Sequence, residues 1–391
     1  MASEPAQATV RKVPWPRRIA IGLVLASGSL GLTFAVLEFG FRVLDIQPRH
    51  APLRQVEIQG PDGSWKPVGV WGTTPLKRPS PIPGVKMGEF VPNRTFRFLY
   101  YLDIGDVGDS SRAKHVAVAK INALGLRGQD FATEKPADTS RILFVGDSFT
   151  FGEGVQDDEP FASVLQQRLR SEVDNDERRY QVINAGVSGY NTKDEVLYLR
   201  TKWLDLEPDM VVLVFYLNDA YDDHRFAALI TGSAEGELGR ELRFESRSRL
   251  LQFVTDRVFR WQVGRRITAI YQGQFFEDPE IGGHDWEASK KSLRDAAELM
   301  RERDIRFAVV IFPELHALDD SHPFKNIYQR VSAYTESLGI PTLNLFPVFE
   351  GRSAPELWVH VTDHHPNAEA HRIAADAIWS FLHEPENALL R

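Results

Sequence analysis

From Arg141 onward the chain alternates short apolar runs with longer stretches whose apolar residues recur every three or four positions. Ile142–Val145, Gln181–Asn184, Val211–Phe215, Phe307–Phe312 and Thr342–Leu345 have the length and continuity of strands buried on both faces. Between them, Phe161–Val173, Lys193–Leu204, Trp286–Arg303 and Tyr328–Leu338 carry helical periodicity. A last helix should follow Asn367, a residue suited to capping, with Ile373, Ala374, Ala377, Ile378 and Phe381 on one face. This alternation predicts an α/β fold, a parallel sheet with helices on both sides, over residues 139–385. In such sheets ligands collect beyond the C-terminal ends of the strands.

The N-terminal part reads differently. Arg11, Lys12, Arg17 and Arg18 precede Ile19–Leu37, a run without a charged residue. A helix needs ~20 residues to cross a bilayer core, and this run supplies them. The basic flank predicts that residues 1–18 stay cytoplasmic while 19–41 form a single-pass anchor in the cytoplasmic membrane. The remainder would then lie on the exported side, periplasmic or extracellular. A cleaved signal peptide is the rival reading. Against it, no small-x-small site ends the run, and Phe39, Phe41, Val43 and Leu44 prolong its apolar character.

Residues 42–138 are rich in proline and glycine, and Pro75, Pro79, Pro81 and Pro83 argue against a long helix. Pieces such as Phe96–Tyr101 and His115–Val118 make this a linker leading into a small β-containing region. Between the third and fourth strands of the main domain lies an insertion, residues 219–284, with aromatics at Phe226, Phe253, Phe259, Trp261, Tyr271, Phe275 and Phe276. Insertions of that length serve as lids over a site or as helices that pack their own aromatics, and both readings stay open.

Composition narrows the partners. A net charge of −8, a pI of about 5.8 and the lack of a basic stripe point away from nucleic acid. The chain has no cysteine, which excludes disulfides, thiolate metal sites and a cysteine nucleophile. Glu314, His316, Asp319, Asp320 and His322 follow the fourth strand without the spacing of a metal-ligand set, so no metal is expected. No cofactor is expected either, since Gly152-Glu153-Gly154 lacks the Gly-Lys-Ser/Thr of a phosphate loop.

Candidate chemistry gathers at the strand ends. Gly146-Asp147-Ser148 follows the first strand, and Asn184-Ala185-Gly186-Val187-Ser188-Gly189 closes the second. Asn218 follows the third, and Asp363-His364-His365-Pro366-Asn367 precedes the last helix. Serine, histidine and an orienting carboxylate are the parts of nucleophilic acyl transfer, recognised by role rather than chain order. Taken alone, Ser148 is also a plausible turn serine and Asn218 a plausible Asx turn. Asp147 reads as organising the turn, and His371 as a packed or capping histidine one turn into the helix.

Together these blocks resemble the SGNH/GDSL hydrolase superfamily, in its membrane-anchored bacterial esterase form. Gly146-Asp147-Ser148 matches the first block, with Phe149 where the name-giving leucine stands; Gly189 matches the glycine of the second. Asn218 matches the asparagine, although Tyr216 replaces a usual glycine. Asp363 to Asn367 match the last block, with one residue rather than two between acid and histidine. The resemblance covers roughly residues 141–382 and implies a three-layer α/β/α, flavodoxin-like sheet. It implies a Ser148-His365-Asp363 triad, and an oxyanion hole from the N–H groups of Ser148 and Gly189 and the Asn218 amide. His365 is preferred over His364 as base, because Pro366 fixes an extended segment in which Asp363 and His365 share a side. The expected activity is serine esterase cleavage of O-acyl, chiefly O-acetyl, esters of a small molecule or carbohydrate. An O-acetyltransferase acting on exported polysaccharide and a non-catalytic polysaccharide-binding protein are the alternatives.

Overall fold

The computed structural model describes residues 15–44, 46, 54–68, 76–85, 87–102, 104–172, 179–220, 248–276, 285–387 and 389–390. Arg11, Lys12 and two stretches of the expected lid, 221–247 and 277–284, lie outside the described residues. The chain divides into two units. The first contains helix α1 (Trp15–Val43) and the start of the long helix α5 (Arg249–Phe275). α1 is long and apolar enough to cross a membrane, a property shared by anchors and signal sequences. Near its end, the Glu38 carboxylate accepts hydrogen bonds from Ser248 Oγ at 2.7 Å and from the backbone N–H groups of Arg249 and Leu250 at 3.1 and 3.0 Å. Those N–H groups open α5 and have no partner within the helix, so the carboxylate caps it.

Among the described residues the second unit holds two larger sheets and two small antiparallel pairs. Four antiparallel strands, β1 (Arg54–Gln59), β2 (Trp65–Val68), β5 (Arg94–Tyr100) and β6 (His115–Ile121), are ordered β2-β1-β5-β6. A small antiparallel pair, β3 (Lys77–Arg78) and β4 (Glu89–Phe90), lies between them in sequence. The main sheet is parallel: β7 (Thr139–Gly146), β8 (Arg179–Gly186), β9 (Met210–Phe215), β10 (Arg306–Ile311) and β11 (Thr342–Asn344). Their order, β11-β10-β9-β7-β8, is the flavodoxin-like order read from its far edge. Met210–Phe215 is buried at every position, as an apolar run covered on both faces should be.

The helices sort by the side on which they pack. α3 (Phe161–Glu172) meets α9 (Ala368–His383). α4 (Thr192–Thr201) meets α6 (Asp285–Glu302), and Trp286 of α6 packs edge-on against Tyr334 of α7 (Lys325–Ser337). Right-handed crossovers place these two groups on opposite faces, giving three α/β/α layers. At the carboxyl edge stand a single helical turn, α2 (Ser148–Phe151), and a hairpin of β12 (Trp358–His360) and β13 (Asp363–Pro366). A second single turn, α8 (Phe346–Phe349), follows β11.

Candidate active site

Burial alone locates an opening at this edge. From Arg141 to Val155 every residue is buried except Ser148; from Ile183 to Thr192, every residue except Gly189; from Met210 to Ala220, every residue except Asn218. The C-terminal parts of three neighbouring parallel strands and the turns beyond them are thus sealed, apart from one position past the end of each strand. Those positions are the ones the sequence brings forward as the nucleophile and its oxyanion donors.

Ser148 is the first residue of α2, and Asp147 is its N-cap, accepting the Phe149 N–H at 2.8 Å. Ser148 Oγ lies 2.9 Å from His365 Nε2, and His365 Nδ1 lies 2.5 Å from Asp363 Oδ1. The backbone N–H of His365 also reaches Asp363 Oδ1, at 3.2 Å. β13 is extended, so Asp363 and His365 face one side and His364 the other. His364 instead stacks on Trp358 at 3.9 Å, with its Nδ1 3.5 Å from Glu314 Oε1. His371 is buried in α9, where its Nδ1 accepts the Phe161 N–H at 3.3 Å. Burial and the nearby Arg127 and His365 charges push its pKa down to about 3, so it is neutral and packed.

Gly189 has a left-handed backbone, φ 82°, and a Cβ there would sit 2.6 Å from Met87 Cε. Asn218 Nδ2 donates to Asp147 Oδ2 at 2.9 Å and, at the long distance of 3.4 Å, to the Tyr190 carbonyl. The longer bond is weak enough to be exchanged for a better acceptor. Of the acidic and imidazole groups after β10, Glu314 accepts a hydrogen bond from the Tyr216 hydroxyl, and His322 is held by the His316 carbonyl and the Tyr328 hydroxyl.

The sequence did not point to what stands behind Asp363. Its Oδ2 accepts Arg54 Nη1 at 2.8 Å, from the start of β1, and the Tyr100 hydroxyl at 3.0 Å, from the end of β5. Arg54 Nη1 also bonds Glu153 Oε1 at 2.6 Å, and Glu153 Oε2 accepts Ser188 Oγ at 3.0 Å. The buried Lys77 ammonium closes the series, donating to the Ser188 carbonyl at 2.5 Å. Among the described residues, Glu153, Asp363 and His365 are the one group close enough to share a metal ion. The Arg54 guanidinium bonds both carboxylates and supplies the positive charge between them.

The electrostatics follow from these neighbours. Burial alone would raise Asp363, but His365 and Arg54 outweigh it and hold the carboxyl well below its usual range. Burial disfavours a charged His365, yet the Asp363 and Glu153 carboxylates lift it to about 9. Asp147 goes the other way: burial, only partly offset by the Phe149 N–H, His365 and Asn218, pushes it up to about 6.

A family model described as the GDSL-like lipase/acylhydrolase family matches residues 144–373. The chain belongs to that family. It is accordingly a carboxylic ester hydrolase with the SGNH-type α/β fold. No curated protein matches it. Among solved structures it is similar to TesA, at 16% identity over 64% of this chain and 100% of that one, with a TM-score of 0.39. It is also similar to the psychrotrophic esterase EstA from Pseudoalteromonas sp., at 14% identity over 63% and 99%, TM-score 0.39. A third is a catalytic mutant of Axe2, an acetylxylan esterase from Geobacillus stearothermophilus, at 13% identity over 62% and 94%, TM-score 0.39.

Proposed function

We propose that the protein is a membrane-anchored serine esterase that removes O-acyl, chiefly O-acetyl, groups from a carbohydrate on the exported side of the cytoplasmic membrane. The observation that carries the chemistry is the unbroken series Ser148 Oγ, His365 Nε2, His365 Nδ1, Asp363 Oδ1, with contacts of 2.9 and 2.5 Å. In this reading the neutral form of His365, populated as pH rises through about 9, takes the Ser148 proton as Oγ attacks the ester carbonyl, and the imidazolium so formed protonates the departing alcohol. Water then attacks the acyl-enzyme by the reverse proton path. Charge on the carbonyl oxygen is met by the Ser148 and Gly189 N–H groups and by the Asn218 amide, which gives up its long bond to Tyr190.

The rim beside His365 supports a sugar rather than a long acyl chain. His364 stacks on Trp358 and lies parallel to the exposed His316 ring at 6.2 Å, so aromatic and polar groups stand together at this rim. Support for the anchor is the composition and length of α1 and the basic residues before it.

Incubating the full-length protein in detergent with an activated acetyl ester, with and without an oligosaccharide acceptor, tests the reading. Release of free acetate, abolished in Ser148→Ala, is the expected outcome. Acetylated saccharide would move the assignment to acyl transfer, and turnover surviving in Ser148→Ala would remove the triad from it.

A further inference from the structure

Hydrolysis as just described uses Asp363 but leaves a second buried carboxylate beside it without a task. Glu153 sits between Gly152 and Gly154, both left-handed, with φ of 80° and 85°. Its loop is held from outside by the buried Arg127, which donates to the Phe151 carbonyl at 2.9 Å, to Val155 at 2.6 Å and to Gln156 at 3.0 Å. A Cβ on Gly154 would fall 2.6 Å from the Tyr100 hydroxyl and 2.7 Å from Val359 Cγ1, so the loop lies tight against β5 and β12. The Glu153 side chain is 2% exposed, and both its oxygens are committed. One binds the guanidinium that also binds Asp363, and the other binds the serine immediately before Gly189.

We infer that Arg54 and Glu153 are a pair of positioning residues, opposite in charge, that tether the Asp363 carboxylate to the Gly189 turn. The inference rests on the esterase reading above and adds the antiparallel sheet to the working site. A single salt-bridged link, Asp363–Arg54–Glu153–Ser188, joins the residue that orients the base to the loop that offers an oxyanion donor. Neither Arg54 nor Glu153 touches the reacting atoms. Both act through Asp363, His365 and Ser188.

Their charges act on His365 with opposite sign. A Glu153 oxygen, an Asp363 oxygen and a His365 ring nitrogen lie within 4.8 Å of one another, so the Glu153 charge favours the imidazolium and the Arg54 charge opposes it. The other groups facing the ring are Asp363 from its own strand, Asp147 beside the serine and His371 from α9, with the Tyr100 hydroxyl from β5 behind Asp363; His364 points to the other side of β13. Each of these residues is still present when Arg54 or Glu153 is substituted. Opposite shifts identify the two charges that act on His365, and the effect of breaking the Glu153–Ser188 bond identifies the tether to the Gly189 turn.

The test is the protonation of His365, measured in the full-length chain in detergent micelles. Ring NMR signals are followed against pH, with His365 assigned by the signal lost in His365→Gln, and the acid limb of kcat/KM is recorded alongside. Glu153→Gln should move both midpoints to lower pH by about one unit, the scale for removing one charge at this separation in a partly buried site. Arg54→Gln should move them to higher pH. Ser188→Ala, which keeps both charges, should leave the midpoint in place and lower kcat several-fold by loosening the Gly189 turn. Shifts of the same sign in the two charge variants, or none, would overturn the inference. The ring titration decides this without turnover, so a protein that fails to hydrolyse esters counts against the esterase reading alone.

Discussion

Two aspartates stand beside the same serine, Asp147 buried and Asp363 nearly so, and end with opposite properties. Asp147, in the turn after β7, is met by neutral donors: the Phe149 N–H and the Asn218 amide. Burial dominates, and the carboxyl rises to about 6. Asp363, on β13, is met by the Arg54 guanidinium, the Tyr100 hydroxyl and the His365 ring, and it stays ionised far below its usual range. Proximity to the serine does not by itself make an orienting carboxylate. A cation does, and here it comes from a strand 309 positions away in sequence. Asp147 fits a neutral-to-anionic acceptor that holds Asn218, whereas Asp363 fits a permanent anion that holds an imidazolium.

The sharpest way to break this contrast is to neutralise each aspartate in turn. Asp363→Asn leaves the shape and removes the charge, so His365 loses the partner for its Nδ1 proton; kcat should fall about 10⁴-fold with the protein still folded. A small loss would mean that Asp363 does not orient the base. On the other side of the serine, Asn218→Ala removes the donor that Asp147 holds. It should cost about 10²–10³-fold in kcat with KM nearly constant. A rise in KM at unchanged kcat would place Asn218 in substrate binding instead. His364→Ala should lower kcat by less than about tenfold, since its ring faces Glu314 and Trp358 rather than Ser148. Loss of activity in that variant, matched by survival of His365→Ala, would exchange the two histidines.

The smallest effect is on stability, and its sign separates the two aspartates. The folded value of Asp147 lies above its ordinary 3.8, so its ionisation costs stability that is lost as pH rises through about 6 and is not lost below about 4. Asp363 is depressed, so its contribution is present above the ordinary value and disappears only as pH falls towards the folded one. Asp147→Asn should therefore raise Tm at pH 8 by about 2–4 °C and much less at pH 4. Thermal melts at the two pH values give the answer. A variant that melts lower at pH 8 would show that the Asp147 charge is stabilising.

How far the sequence carried these conclusions depended on the range of the interaction. The runs Ile142–Val145 and Val211–Phe215 lie inside strands because continuous burial on both faces leaves a continuous apolar signature. Ser148, Gly189 and Asn218 were legible as candidates because each lies within three residues of the end of a strand. The observed α5 was obscured, since its residues fall in an insertion without clear amphipathic periodicity and its two ends belong to different units. Arg54 and Tyr100 were illegible for another reason. Their bonds to Asp363 span 309 and 263 residues, and an isolated arginine or tyrosine in a strand has no local pattern that reveals a distant partner. Glu153 did leave a trace. A charged residue between two glycines, directly after an apolar run and a nucleophile turn, is unusual for a solvated loop, and the glycines mark the tight, buried path that its carboxylate follows.

The claim that matters most is that His365, held by Asp363, activates Ser148. It is tested most directly by fluorophosphonate labelling of the full-length protein followed by peptide mass analysis. One modified residue, Ser148, is expected, with labelling near wild-type in His364→Ala and none in His365→Ala. A label on any other residue, or equal labelling of Ser148 in His365→Ala, would contradict it.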